Sequence, residues 1–176
     1  MNFPRPSILA EKDLATARAR ARQLEWMFFD IDGVLTDGGL FYGAQGETLK
    51  RFHVLDGHGI KALRAAGIKV ALLSGRQHPA NEQRAQELGI DQLVQGAQAK
   101  GAAFDRLVNA LGLKPARCGH MGDDLPDLEV FNRVGFSAAV PDAVASVLEA
   151  AHWVSRRSGG QGAVRECCDF ILESKR

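Results

Sequence analysis

The first apolar run of the chain ends in acid: FFDIDGVLTDG places Asp30 and Asp32 two residues apart, with Asp37 just beyond. Strand periodicity puts Asp30 and Asp32 on one side, where each raises the other's pKa unless a cation or different chemical roles separate them. Gly33 lets backbone N–H groups approach an anion there. A solvated Asp/Gly turn accounts for the same residue types if the peptide is taken alone.

Three further pieces carry chemistry. A second apolar run ends in Ser74-Gly75-Arg76, a hydroxyl and a guanidinium suited to phosphate or carboxylate oxygens, although Ser74 could equally cap the helix that opens at Pro79. Lys100 opens a later helix, where it opposes the macrodipole, so its placement has a small local cost that binding an anion would offset. Last, MGDDLPD sets Asp123, Asp124 and Asp127 within five positions after a buried run, hard oxygen donors of the kind Mg²⁺ accepts. A helix cap at Asp124 or Asp127 is the plainer alternative.

These residues need a scaffold that brings distant strand ends together. Apolar runs at 26–31, 68–74, 91–95, 117–123 and 135–140 alternate with helical stretches at 57–66, 79–88, 100–111, 125–132 and 142–150. Continuous rather than alternating apolar runs suit strands buried on both faces, and the intervening helices imply right-handed crossovers. The expected fold is α/β, a doubly wound parallel sheet, whose functional groups collect at the carboxyl ends of the strands. Residues 37–53 break the rhythm and read as a β-hairpin inserted after the first strand, able to roof the crevice or to pair with other copies, but too small to be a cap domain. Residues 10–24, rich in Ala and Arg, read as a helix preceding the core, so the chain divides into an N-terminal extension over 1–24 and one domain over 25–176, with a tail from about 155.

Composition narrows the function classes. With 176 residues there is room for one ordinary domain, and 22 Lys+Arg against 21 Asp+Glu leave no general basic field for nucleic acid or anionic lipid. No apolar run approaches a membrane span, and three cysteines in neither zinc nor disulfide-framework spacing fit a reducing cytoplasm. Cys167 and Cys168 fall in the final helix, where one is expected buried and one exposed, neither catalytic. The histidines show no metal spacing, and His120 inside an apolar strand reads as a core residue.

Asp30-Ile31-Asp32-Gly33 with Asp37, then Ser74, then Lys100, then Gly122-Asp123-Asp124 with Asp127 resembles the pattern of the haloacid dehalogenase superfamily of phosphotransferases, over about 26–171. The resemblance implies a Mg²⁺-dependent phosphomonoesterase. In it Asp30 is the nucleophile and Asp32 the general acid and base. Mg²⁺ is held by Asp30, the Asp32 carbonyl and Asp123. Ser74, Lys100 and backbone N–H groups near Gly33 and Gly75 bind phosphate, while Asp124 and Asp127 give support from behind, Asp124 by orienting Lys100 or a water.

The stretches GVLTDGGLFY, FHVLDGHGIKAL, LLSGR and SGGQGAVRECCDFIL are further similar to the small, capless, tetrameric phosphatases of 3-deoxy-D-manno-octulosonate 8-phosphate, which act in lipopolysaccharide sugar synthesis. That likeness implies a homotetramer whose hairpins join centrally and whose C-terminal tail closes a neighbour's crevice. The substrate is then a small sugar-acid phosphate, with no nucleic acid or membrane partner. Its carboxylate and hydroxyls call for Lys61, Arg76 and Arg84, with His53, Asp56 and Gly57 nearby and Asp32 and Lys100 serving the other end. Leu55 stands where Arg is expected, which keeps in view a nine-carbon sialic-type acid 9-phosphate. A catalytically silent scaffold on the same fold is the alternative of another class.

Overall fold

The computed structural model describes residues 13–176. Six parallel strands form one sheet in the order β5-β4-β1-β6-β7-β8: β1 Trp26–Phe29, β4 Lys69–Leu73, β5 Gln92–Val94, β6 Cys118–Gly122, β7 Phe136–Ala139 and β8 Trp153–Val154. The hairpin is a separate antiparallel pair, β2 Phe41–Gly43 and β3 Gly46–Leu49. The helices are α1 Leu14–Arg22, α2 Val54–Ala65, α3 Pro79–Leu88, α4 Lys100–Leu111, α5 Leu125–Phe131, α6 Ala145–Ala150 and α7 Ala163–Ser174. This is the doubly wound parallel sheet with a small hairpin that the sequence predicts. Among the described residues no helix is long and apolar enough to cross a membrane.

The continuous apolar runs are explained by burial on both faces. Met27 and Phe29 pack with Ile60 and Leu63 of α2 and Cys167 and Ile171 of α7, whereas Phe28 packs on the opposite face with Phe104 and Val108 of α4. Phe28 and Phe104 meet edge to face at 5.1 Å. Burial of each such aromatic contributes about 1.5–3 kcal/mol, so the central strand is held from both sides.

Local signals set the helix ends. Pro79 occupies the first turn of α3, His78 caps it by accepting the Ala80 N–H, and left-handed Gly89 closes it. α1 is capped by Asp13, and it buries Ala17 and Ala21. The first residues of the expected 10–24 helix lie outside the described residues. α2 starts three residues before the expected 57 because the His53 side chain caps it. The two-residue β8, absent from the sequence reading, is too short to leave a pattern.

One expectation fails. Cys167 and Cys168 are both fully buried, not one in and one out. α7 is packed by α1 and α2 as well as the sheet, so its apolar face is wide enough to take two adjacent positions 100° apart, and burial pushes both thiols up.

Candidate active site

β1 lies between β4 and β6, and chain order reverses across it, so the loops after these three strands leave the same sheet edge at the topological switch point. Phe29 is level with Leu72 and with Met121, which places Asp30, Ser74 and Asp123 just past the ends of neighbouring strands. The loop after β5 is tied to the loop after β4 by Ala97 N–H to Ser74 C=O at 3.0 Å and Gln98 Nε2 to Gly75 C=O at 3.0 Å. Those bonds deliver Lys100 to the crevice.

Lys100 Nζ lies 2.9 Å from Asp30 Oδ2 and 2.7 Å from Asp127 Oδ1, all three residues buried. Asp30, Asp123 and Asp127 bring carboxylate oxygens within 4.8 Å of one another. Their hydrogen bonds separate their roles. Asp127 is full: Oδ1 meets Lys100 and His120 Nε2 at 2.7 Å, and Oδ2 accepts the N–H groups of Asp123 at 3.1 Å and Asp124 at 3.2 Å. Asp123 Oδ1 is buried with no partner. Asp30 takes its own neighbour's N–H, from Ile31 at 2.7 Å, besides Lys100.

Three carboxylates against one lysine leave the cluster short of positive charge. Burial, then the charge of Asp127, pushes Asp30 up to about 8 against the pull of Lys100. Burial and Asp127 push Asp123 up to about 6. Asp127 goes the other way: despite burial, His120 and Lys100 hold it below the usual carboxylate range. An orphaned buried oxygen on Asp123 beside an acid that resists ionisation fits a hard divalent cation, which prefers this donor chemistry. Asp30 and Asp123 are the side chains left free to hold it.

The backbone accommodates that arrangement. Gly33 has φ +89°, and a Cβ there would lie 2.1 Å from Asp123 Oδ2, so the Asp123 carboxylate occupies the space beside it. Its N–H, expected to face phosphate, lies 3.3 Å from Thr36 Oγ1. Glycines 159 and 160 pack on this same turn: a Cβ on Gly159 would come 1.8 Å from the Gly33 carbonyl, and Gly160 N–H bonds Val34 C=O at 3.0 Å.

Asp32 stands apart from the three-acid cluster. Its Oδ1 is bonded by Lys50 Nζ, its Oδ2 is buried with no hydrogen-bond partner, and Arg76 Nε is 4.0 Å from that Oδ2. Arg76 also pairs with Glu47 at 2.6 Å. Glu47 and Lys50, both from the hairpin, escaped the sequence reading because no motif marks them. Ser74 is fully buried, and its Oγ accepts the Arg76 N–H at 3.2 Å rather than capping α3.

Of the remaining expected substrate contacts, Asp56, Arg84 and His53 have internal partners. Asp56, 1% exposed, accepts the Arg165 N–H at 2.8 Å and so serves the N-terminal turn of α7, which has no cap of its own. Arg84 bonds the His53 carbonyl at 3.2 Å and Glu87 at 2.9 Å, and Gly57 packs against its guanidinium. His53 accepts the Leu55 N–H, and Lys61 is exposed on α2. Asp124 caps α5, so Lys100 is oriented by Asp127 instead. Glu129 accepts the Gly101 N–H at 2.8 Å and offsets the cost of Lys100 at a helix start.

A family model described as haloacid dehalogenase-like hydrolase matches residues 55–135. The 3-deoxy-D-manno-octulosonate 8-phosphate phosphatase KdsC of Yersinia pestis is 45% identical over 153 residues, covering 87% of this chain and 82% of that protein. The Moraxella catarrhalis enzyme of the same name, solved with magnesium, phosphate and the KDO molecule, superposes with a TM-score of 0.88 at 36% identity, covering 90% of this chain and 91% of that one. The cobalt-bound Haemophilus influenzae phosphatase does so with 0.86 at 42% identity, covering 89% and 91%.

Proposed function

Because the chain belongs to the haloacid dehalogenase-like hydrolases, and within them to the 3-deoxy-D-manno-octulosonate 8-phosphate phosphatases, we propose that it hydrolyses that phosphomonoester to the free sugar acid and phosphate, a step in lipopolysaccharide sugar synthesis in the cytoplasm. The observation that carries the reading is the meeting of Asp30, Asp123 and Lys100, from three separate chain segments, at one sheet edge.

In this mechanism an Asp30 carboxylate oxygen attacks phosphorus in line, forming an aspartyl-phosphate as the ester P–O bond breaks. Asp32 delivers a proton to the leaving alcohol oxygen, then takes one from the water that cleaves the intermediate. Lys100, with Ser74 and backbone N–H groups around Gly75, holds the equatorial oxygens, where negative charge is spread in the transition state. Asp127 keeps Lys100 in place. A Mg²⁺ ion held by Asp30, Asp123 and the Asp32 carbonyl would offset the repulsion between carboxylate and phosphate. Arg76, beside Asp32 and with 43% of its side chain exposed, is suited to the sugar-acid carboxylate.

The test is phosphate release from 3-deoxy-D-manno-octulosonate 8-phosphate with Mg²⁺ and with a chelator. Metal-dependent turnover is expected, and Asp30→Asn should abolish it while far-UV circular dichroism stays unchanged, the two side chains being nearly equal in size. Wild-type-like activity in that variant would sink the nucleophile assignment. A strong preference for the nine-carbon 9-phosphate would replace the substrate, and absence of metal-dependent release from either would leave the silent scaffold.

A further inference from the structure

The hairpin places a lysine on the acid-base aspartate, and on the reading above we propose that Lys50 is the positioning residue that fixes Asp32 for proton delivery to the leaving oxygen. Its side chain is only 1% exposed, although Lys is rarely buried unless paired, and its Nζ bonds Asp32 Oδ1. That leaves Oδ2, the one Asp32 oxygen without a hydrogen-bond partner, to carry the proton.

The backbone shows how the lysine arrives there. Tyr42 is level with Glu47 but Phe41 with Leu49, so Thr48 is an extra residue on β3. Three positions apart, Glu47 and Lys50 would face opposite ways on a regular strand; the bulge brings both to the Asp32 side. Lys50 Nζ lies 4.0 Å from Glu47 Oε1, and Glu47 in turn binds Arg76. Two acids and two bases thus meet in one network that includes Asp32, held at one end by the hairpin. In the reaction Asp32 Oδ2–H gives its proton to the ester oxygen while the P–O bond breaks and the bond from Asp30 to phosphorus forms; Lys50 exchanges nothing.

A positioning role predicts dependence on the leaving group. The alcohol of a sugar phosphate needs a proton to depart, whereas nitrophenolate departs without one. kcat/KM reports steps only through formation of the phosphoenzyme, so the later water attack does not blur the comparison. Lys50→Met should lower kcat/KM on 3-deoxy-D-manno-octulosonate 8-phosphate by about 100-fold, the low end of general-acid effects, mostly in kcat, and on p-nitrophenyl phosphate by less than about threefold. Lys50→Arg, which keeps a donor on Asp32, should recover a large part of the loss, and it carries the same comparison if the Met variant fails to fold. Equal losses on both substrates, a rise in KM with kcat retained, or no loss at all would each overturn the assignment. Should the wild type ignore the octulosonate ester, the proposed substrate falls, yet the same contrast on glycerol 3-phosphate still decides the role of Lys50.

Discussion

At the residue scale the crevice is governed by a charge deficit that protons or a cation must fill. Asp30, near 8, and Asp123, near 6, both sit above the ordinary 3.8, so without metal the folded protein holds protons that the unfolded chain has released. Where the native state binds more protons, stability falls as pH rises. The metal-free protein should therefore lose stability between about pH 4 and pH 8, the contribution of Asp30 and Asp123 being fully present at the acid end of that window. Asp127, held low, has the opposite sign and acts only below that range. Mg²⁺ substitutes for the protons and should flatten the profile, adding about 2.7 kcal/mol at a hundredfold excess over its Kd. Thermal unfolding with chelator and with Mg²⁺ across this range checks it; parallel curves would contradict the cation reading. The acids themselves were legible because they end apolar runs. Lys50 and Glu47 were not, since their meeting with Asp32 depends on a bulge that leaves no mark in the order of residue types.

Among the elements, those with strong punctuation were readable from the chain and those defined by tertiary contact were not. α3 and α4 begin and end at the expected residues, because Pro79, Gly89 and Gly112 mark the limits. α7 shows the reverse case. Its N-terminus, at left-handed Gly162, has no side-chain cap of its own, and Asp56 reaches it from α2, more than a hundred residues away in sequence. That distance is why Asp56 reads from sequence as a candidate for the substrate's hydroxyls. The structural role predicts that Asp56→Ala lowers stability by about 1–3 kcal/mol, the cost of unsatisfied buried N–H groups at a helix start, while KM for the sugar-acid phosphate changes less than twofold. Denaturant unfolding and steady-state kinetics on the same preparation separate the two. A large rise in KM with unchanged stability would return Asp56 to the substrate site.

For the whole molecule the question is what steadies the hairpin. A two-stranded hairpin is marginal in water by itself, and this one exposes Phe41, Tyr42 and Leu49 at 49%, 66% and 65%. Yet it carries Glu47 and Lys50 to Asp32, so the proposed proton delivery would depend on its order. Residues 159 and 160 of the tail are seated on the 33–37 turn, at the base of the hairpin insertion. Pairing of hairpins from other copies would cover the apolar side chains and the open strand edges together, and we propose the homotetramer expected from the sequence as that arrangement. Sedimentation velocity should accordingly give about four times the 19.0 kDa chain mass. Replacing Phe41 and Leu49 with Asp should yield lighter species that lose kcat/KM on the sugar-acid phosphate more than on p-nitrophenyl phosphate, because a loosened hairpin releases Lys50 from Asp32. A monomeric wild type with full turnover would break the link between assembly and catalysis, and leave the exposed apolar strip without an occupant.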